Sequence, residues 1–203
     1  MSKLSSYYSR DELKKLGLKS FGKNIQISRN TKIYDPEKLS IKNNVRIDDF
    51  CILTGNIVLG NYIHISPFCL LSGRYNITMK DFSGLSSRVS IYTSNEDYVN
   101  GSSLTNPTIP IKMRNIESGQ VLIEQHAVVG ATSILLPNTH LETGSILGAH
   151  SLAKGKYKKW KIFVGAPAKF KKNRPSKIIE RDGKKLLEKI DEPKKHSKKN
   201  LKK

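Results

Sequence analysis

The chain has 203 residues with 36 Lys and Arg against 17 Asp and Glu, a formal charge of +19, and 37% hydrophobic residues; that is enough for one lean domain plus appendages. No apolar run reaches the roughly 20 residues of a membrane span. The start, MSKLSSYYSRDELKKLGLKS, lacks the apolar core of a secretion signal, so a cytoplasmic protein is expected. The charge is uneven: residues 1–153 hold 16 basic and 12 acidic side chains, residues 154–203 hold 20 and 5. A near-neutral body thus ends in a basic extension, able to meet a phosphorylated ligand or touch an anionic membrane surface. Nucleic acid is the least expected of its partners, and its last dozen residues read as solvated and partly disordered.

Along the chain, Ser9-Arg10-Asp11-Glu12 is a capping box, followed by Leu13 and Leu16 and stopped by Gly17, which predicts a short helix over 9–16. A six-residue period then begins: Ile27, Ile33, Ile41, Ile47, Leu53, Leu59, Ile65 and Leu71, with two-residue interruptions near Asp35-Pro36 and at 73–76. The shifted frame continues through Met79, Leu85 and Ile91. After a break it returns as Ile123, Val129, Leu135, Leu141 and Leu147, each followed four positions later by a small residue: Ala127, Ser133, Thr139, Ser145 and Ser151. Neither a helix nor a lone strand has this period. Hexapeptides are the signature of a parallel β-helix, in which three short strands and three corners close a coil of eighteen residues. The aliphatics point inward, and a small residue fits where each corner narrows. Sixteen such units predict roughly five coils, an all-β fold with a short N-terminal helix, a mid-solenoid loop and a basic C-terminal helix and tail. Cys51 and Cys69 take the small slot eighteen residues apart, as buried reduced thiols stacked on one face.

The period vanishes from Ser94 to Gln120, a polar stretch with Gly101, Pro107 and Pro110. A long insertion in a regular solenoid is usually functional, because the coils do not need it. The organisation read from the sequence is therefore a lead-in over 1–20, a β-helix over 21–170 interrupted at 94–120, and a basic extension over 171–203. Within the extension, Ser176 caps a short helix through Arg181, with weak helical character at Leu186, Leu187 and Ile190.

With its hexapeptides, its mid-solenoid loop and the segment Val164-Gly165-Ala166-Pro167-Ala168-Lys169, the chain resembles the hexapeptide-repeat acyltransferases over about residues 20–174. The nearest are the galactoside, maltose and bacterial surface-polysaccharide O-acetyltransferases. The resemblance implies a left-handed β-helix, a homotrimer, acetyl-CoA lying in a groove between two subunits near the C-terminal coils, and an acceptor beside the loop of one subunit. Carried over by position, Ala131 and Ala149 meet the pantetheine arm. Lys154, Lys169, Lys172 and Arg174 offer charge to the coenzyme phosphates. Lys154-Gly155 stands where the family has a Thr-Lys pair, and Val128 where a tryptophan is common.

The family's catalytic histidine slot holds Glu96, followed by Asp97 and Tyr98. A carboxylate serves as base when burial raises its pKa. His64, at a coil corner, is the rival base; His126 and His140 face outward by register, His150 lies near the coenzyme end and His196 in the tail. The fold is shared with γ-type carbonic anhydrases, but the histidine spacings 126→140, 140→150 and 126→150 are 14, 10 and 24, none a multiple of eighteen, so no metal is expected. The leading expectation is an acetyl-CoA-dependent O-acetyltransferase acting on a sugar hydroxyl of a surface polysaccharide or its precursor. The runner-up is N-acetylation of an amino sugar. A non-catalytic scaffold with a polyanion-binding tail is the alternative from another class.

Overall fold

The computed structural model describes residues 6–99 and 104–191. Short strands stack in parallel around three faces and form a β-solenoid of about seven turns. The first face carries Ile27, Ile47, Ile65, Leu85, Val129, Leu147 and Phe163 inward; the second Ile33, Leu53, Leu71, Ile91, Leu135 and Ala153; the third Phe21, Ile41, Leu59, Met79, Ile123, Leu141 and Tyr157. The solenoid is longer than the five coils expected because Phe21, Tyr157 and Phe163 take inward positions that an aliphatic template passes over. Tyr157 and Phe163 meet edge to face, with centroids 4.9 Å apart. Each coil lends its carbonyls to its neighbour: Ile52 N–H donates to Cys69 O (2.9 Å) and Leu70 N–H to Val89 O (2.9 Å). No turn buries its face alone, so stability is a nearest-neighbour property.

The small residues at the corners have a second task besides size. Thr31, Cys51, Cys69 and Ser133 each point Oγ or Sγ at a carbonyl of the next coil, Asp48, Ser66, Ser86 and Gly148 respectively, at 2.8–3.2 Å. Both cysteines are free and buried, as the spacing implied. Ser145 Oγ is buried without a partner among the described residues.

Corners also place ordinary residues at positive φ. One column runs through Phe50, Phe68, Arg88, Thr132 and His150, another through Asn44, Tyr62, Phe82, His126, Gly144 and Trp160. Each non-glycine member costs about 1–2 kcal/mol, and side-chain stacking up the column offsets it. Tyr62 and Phe82 stack at 5.0 Å and 8°, Phe82 and His126 at 4.9 Å and 4°. These distances repeat the spacing of the coils themselves.

The N-terminal helix α1 (Arg10–Lys15) has the predicted Ser9/Glu12 capping box, and Leu13 is its buried residue. The C-terminal helix α2 (Lys177–Asp191) is far longer than the stretch to Arg181 read from the sequence. Its length comes from tertiary packing: Gly183 is buried against His126 and Phe82, and Leu187 borders a cleft with Val58 and Thr78 on the outer side of the third face. Before it, Lys169–Asn173 folds back as an antiparallel strand on Lys161–Val164. The expectation of a disordered final dozen residues, and of a role for His196, falls outside the described residues.

Candidate active site

All three interruptions of the repeat fall on one corner, between the second and third faces. The Asp35-Pro36 insertion forms a turn over Pro36–Lys38. Asp35 accepts from Thr54 Oγ1 (2.8 Å), Gly55 N–H (2.7 Å) and Lys38, and these contacts push its carboxyl down to about 2. The insertion at 73–76 lets Leu70–Met79 bend around the same corner, where Thr93 Oγ1 accepts from Tyr75 N–H and donates to Ser72 O. The long insertion opens and closes there as a hairpin, Ser94–Glu96 against Ile116–Ser118.

This hairpin divides the corner into two clefts. One, of about 470 Å³, is bordered by Lys38, Arg74 and Arg114 on the cationic side and by Asp35, Ser72 and Glu96. The other, of about 440 Å³, is bordered by Glu96, Asp97, Glu117, Tyr98, Leu136 and Lys154. Glu96 lines both. Its two carboxylate oxygens face the Arg114 guanidinium, whose side chain is only 9% exposed, and this hydrogen-bonded pairing raises the arginine pKa. Glu96 is thus ion-paired rather than enclosed by apolar side chains. Asp97 accepts from Asn115 Nδ2 (2.8 Å) and Val99 N–H (3.2 Å). Arg114, Arg74, Lys38 and Glu117 were not picked out from the sequence. The signal that finds them is the shared corner of the three interruptions.

The other expected residues lie elsewhere. His64 sits on the outer side of the first face, half exposed, with Nε2 2.7 Å from Asp48 Oδ2. Arg46 Nε donates to the same carboxylate (2.6 Å). Burial pushes Asp48 up, but the His64 and Arg46 hydrogen bonds outweigh it and hold the group below its ordinary value. His64 and Glu96 therefore belong to different sides of the solenoid. Ala131 and Ala149 stack on the corner between the first and second faces, joined by His150 N–H to Ala131 O (2.9 Å). Lys154 is not beside them: its Nζ pairs with Glu117 (2.7 Å) in the carboxylate cleft. Lys169 and Lys172 are exposed on the folded-back strand. Arg174 donates to His126 O (2.7 Å) and Gly144 O (2.9 Å) and lies over Trp160, so its guanidinium is committed to the solenoid end. His126 leaves its coil outward, as its register implies, but is only 7% exposed because α2 roofs it. His140 is half-buried, 2.8 Å from Glu124. No group of three or more metal-ligating side chains occurs among the described residues.

No family model matches the chain. It is 40% identical over 178 residues to dTDP-4-amino-4,6-dideoxy-D-glucose acyltransferase of Escherichia coli, an alignment that spans 86% of this chain and 92% of that protein. The chain belongs to the hexapeptide-repeat acyltransferases. Among solved structures of this family, AntD, an N-acyltransferase from Bacillus cereus in complex with dTDP and 3-hydroxybutyryl-CoA, superposes with a TM-score of 0.87 at 40% identity, covering 93% of this chain and all of that one. A maltose O-acetyltransferase from Clostridium difficile 630 shares the fold at 18% identity and a TM-score of 0.57, covering 86% of this chain and 80% of that one. This hexapeptide-repeat protein is a sugar acyltransferase.

Proposed function

We propose that the protein transfers an acyl group from acyl-CoA to the amino group of a nucleotide-linked amino sugar. The observation that carries the reading is the two-signed corner: a cleft where Arg74 stands beside Lys38, paired with Asp35, and Arg114, paired with Glu96, adjoins one where Asp97 stands beside Glu96 and Glu117, the latter paired with Lys154. An acceptor with a diphosphate at one end and an ammonium at the other has the complementary charges. A neutral glycan hydroxyl uses neither. The relatives at 40% identity are named for a dTDP-amino sugar and for N-acylation, which favours the amine over the hydroxyl that the sequence favoured.

In this reading Asp97 takes up the proton that makes the acceptor nitrogen a free amine, and Glu96, held by Arg114, accepts a hydrogen bond from that nitrogen. The nitrogen lone pair attacks the thioester carbonyl, the C–N bond forms, the C–S bond breaks, and the coenzyme thiolate leaves with a proton. Backbone N–H groups along the solenoid corner stabilise the oxyanion. Bound acyl-CoA supplies only the activated acyl group. Ala131 and Ala149 leave room for its pantetheine arm, and Lys169 and Lys172 meet its phosphates. Because these alanines and the two clefts lie on different corners of one protomer, the reading brings them together between copies of a trimer. An exposed apolar stripe, with Phe50 54%, Phe68 48%, Ile52 41% and Ile134 39% exposed, is the surface offered for that assembly. There His64 would enter only from a neighbouring copy.

The test is product identification: dTDP-4-amino-4,6-dideoxyglucose and its 4-hydroxy counterpart are each incubated with acetyl-CoA and 3-hydroxybutyryl-CoA. N-acylated nucleotide sugar by mass spectrometry is the expected result. Turnover of the hydroxy sugar alone would overturn the proposal, and sedimentation as a strict monomer would remove the assembled site.

A further inference from the structure

His126 is buried and titratable, yet the acyl transfer makes no use of it. Its ring lies flat on Phe82 (4.9 Å, 4°) and faces Trp160 at 6.1 Å and 32° on the other side. Trp160 belongs to a coil two rungs away, and it reaches His126 by leaning over Gly144, the one bare position of the column. The edge of the imidazole is closed by α2: a Cβ added to Gly183 would stand 2.5 Å from His126 Cε1 and 2.8 Å from Nε2. Glycine in a helix interior is unfavourable, and here the close approach to the ring explains it. Arg174 ties the chain before α2 to the same place, donating to His126 O and Gly144 O while its guanidinium covers Trp160.

We infer that His126 is an acid-sensitive catch that holds α2, and with it the strand Lys169–Asn173, on the end of the solenoid. The slot fits a neutral imidazole. Its ring nitrogens have no side-chain or backbone hydrogen bond among the described residues, so an imidazolium would find no carboxylate or carbonyl among them for its two N–H groups. Burial, then the Arg174 charge, hold the His126 pKa below its ordinary value; Glu180 on α2 and Asp81 on the preceding coil act the other way. Asp182 on α2 is paired with Arg181, and Glu124 on the same coil with His140 and Thr143, so neither is free to receive the proton's charge. A cationic ring would gain from Phe82 and Trp160, but Trp160 already carries the Arg174 guanidinium.

The sign follows. The released histidine titrates near 6.5 and the held one below it, so the released state binds more protons and the catch is strongest above that range. As pH falls from about 6.5 toward the lowered value, holding weakens by up to about tenfold per pH unit. Resting on the proposed function, release would also loosen Lys169 and Lys172 and weaken acyl-CoA binding.

The test does not depend on that reading. Amide exchange of 179–187, corrected for intrinsic rates, and emission of Trp160, the single tryptophan, are followed from about pH 7.5 to about pH 5. The wild type should lose helix protection and shift its emission red together, while His126→Phe, which keeps a flat ring, stays protected throughout. Unchanged wild-type protection, or loss in His126→Phe in parallel with wild type, would overturn the inference. Should that variant not fold, Gly183→Ala decides: it should show an open helix already at neutral pH with little further acid response. Protection equal to wild type in Gly183→Ala would overturn the catch. Normal acyl-CoA affinity in an opened helix would instead remove only the coenzyme role of the two lysines.

Discussion

Gly144→Ala is the sharpest probe of how the solenoid end is built. Two effects add. Gly144 has φ +68, so any side chain there adopts the left-handed region at about 1–2 kcal/mol. A Cβ would also stand 2.5 Å from both Cδ2 and Cζ3 of Trp160, rigid ring atoms that cannot swing aside while the indole lies under Arg174 and against His126. Overpacking of this kind costs about 1–3 kcal/mol. Together the loss is about 2–5 kcal/mol, a large part of the roughly 5–15 kcal/mol that holds a domain folded. Equilibrium urea unfolding followed by circular dichroism measures it, and a cycle with Trp160→Ala separates the parts. On the alanine background only the backbone cost should remain, giving a coupling of about 1–3 kcal/mol. A penalty below about 0.5 kcal/mol, or one unchanged when the indole is removed, would refute the account of a column with one deliberate gap.

Glu96→Gln and Asp97→Asn should each lower kcat/KM for the amino sugar by roughly 10–10³-fold with the acyl-CoA KM little changed, and His64→Asn should stay near wild type; steady-state kinetics decides, and the reverse pattern would give the proton to His64. Lys169→Ala with Lys172→Ala should raise the acyl-CoA KM about tenfold at low salt and less at high salt, with the acceptor KM unchanged. Acid should weaken the N-terminal half first. Glu12, held by the Ser9 backbone and hydroxyl and by Arg29, and Asp35, held by Thr54, Gly55 and Lys38, are both pushed down to about 2 from ordinary values of 4.5 and 3.8. Their contribution is full above about pH 4.5 and is lost as pH falls toward about 2. Thermal unfolding of Asp35→Asn should therefore show a flatter acid limb than wild type; identical limbs would contradict the assignment.

How much of this was legible beforehand divides along the reach of the interactions. A hexapeptide period is a local property, because every sixth side chain points into the core whatever the rest of the chain does. The sequence alone therefore determined the coils, the buried partners at the small slots, the stacked thiols of Cys51 and Cys69, the Ser9 cap and the break over 94–120. It did not determine that the aromatic residues Phe21, Tyr157 and Phe163 extend the stack, since a ring breaks an aliphatic template while filling the same space. Nor did it determine the site. Lys38, Arg74 and Arg114 are far apart in the chain and meet only because three interruptions stack on one corner, and the Arg114 guanidinium that pairs with Glu96 comes from just before the far strand of the hairpin. His126 read as outward by register and is buried because α2, distant in sequence, lies across it. Register fixes which way a side chain leaves its own coil; what covers it there is decided by segments that the period does not describe.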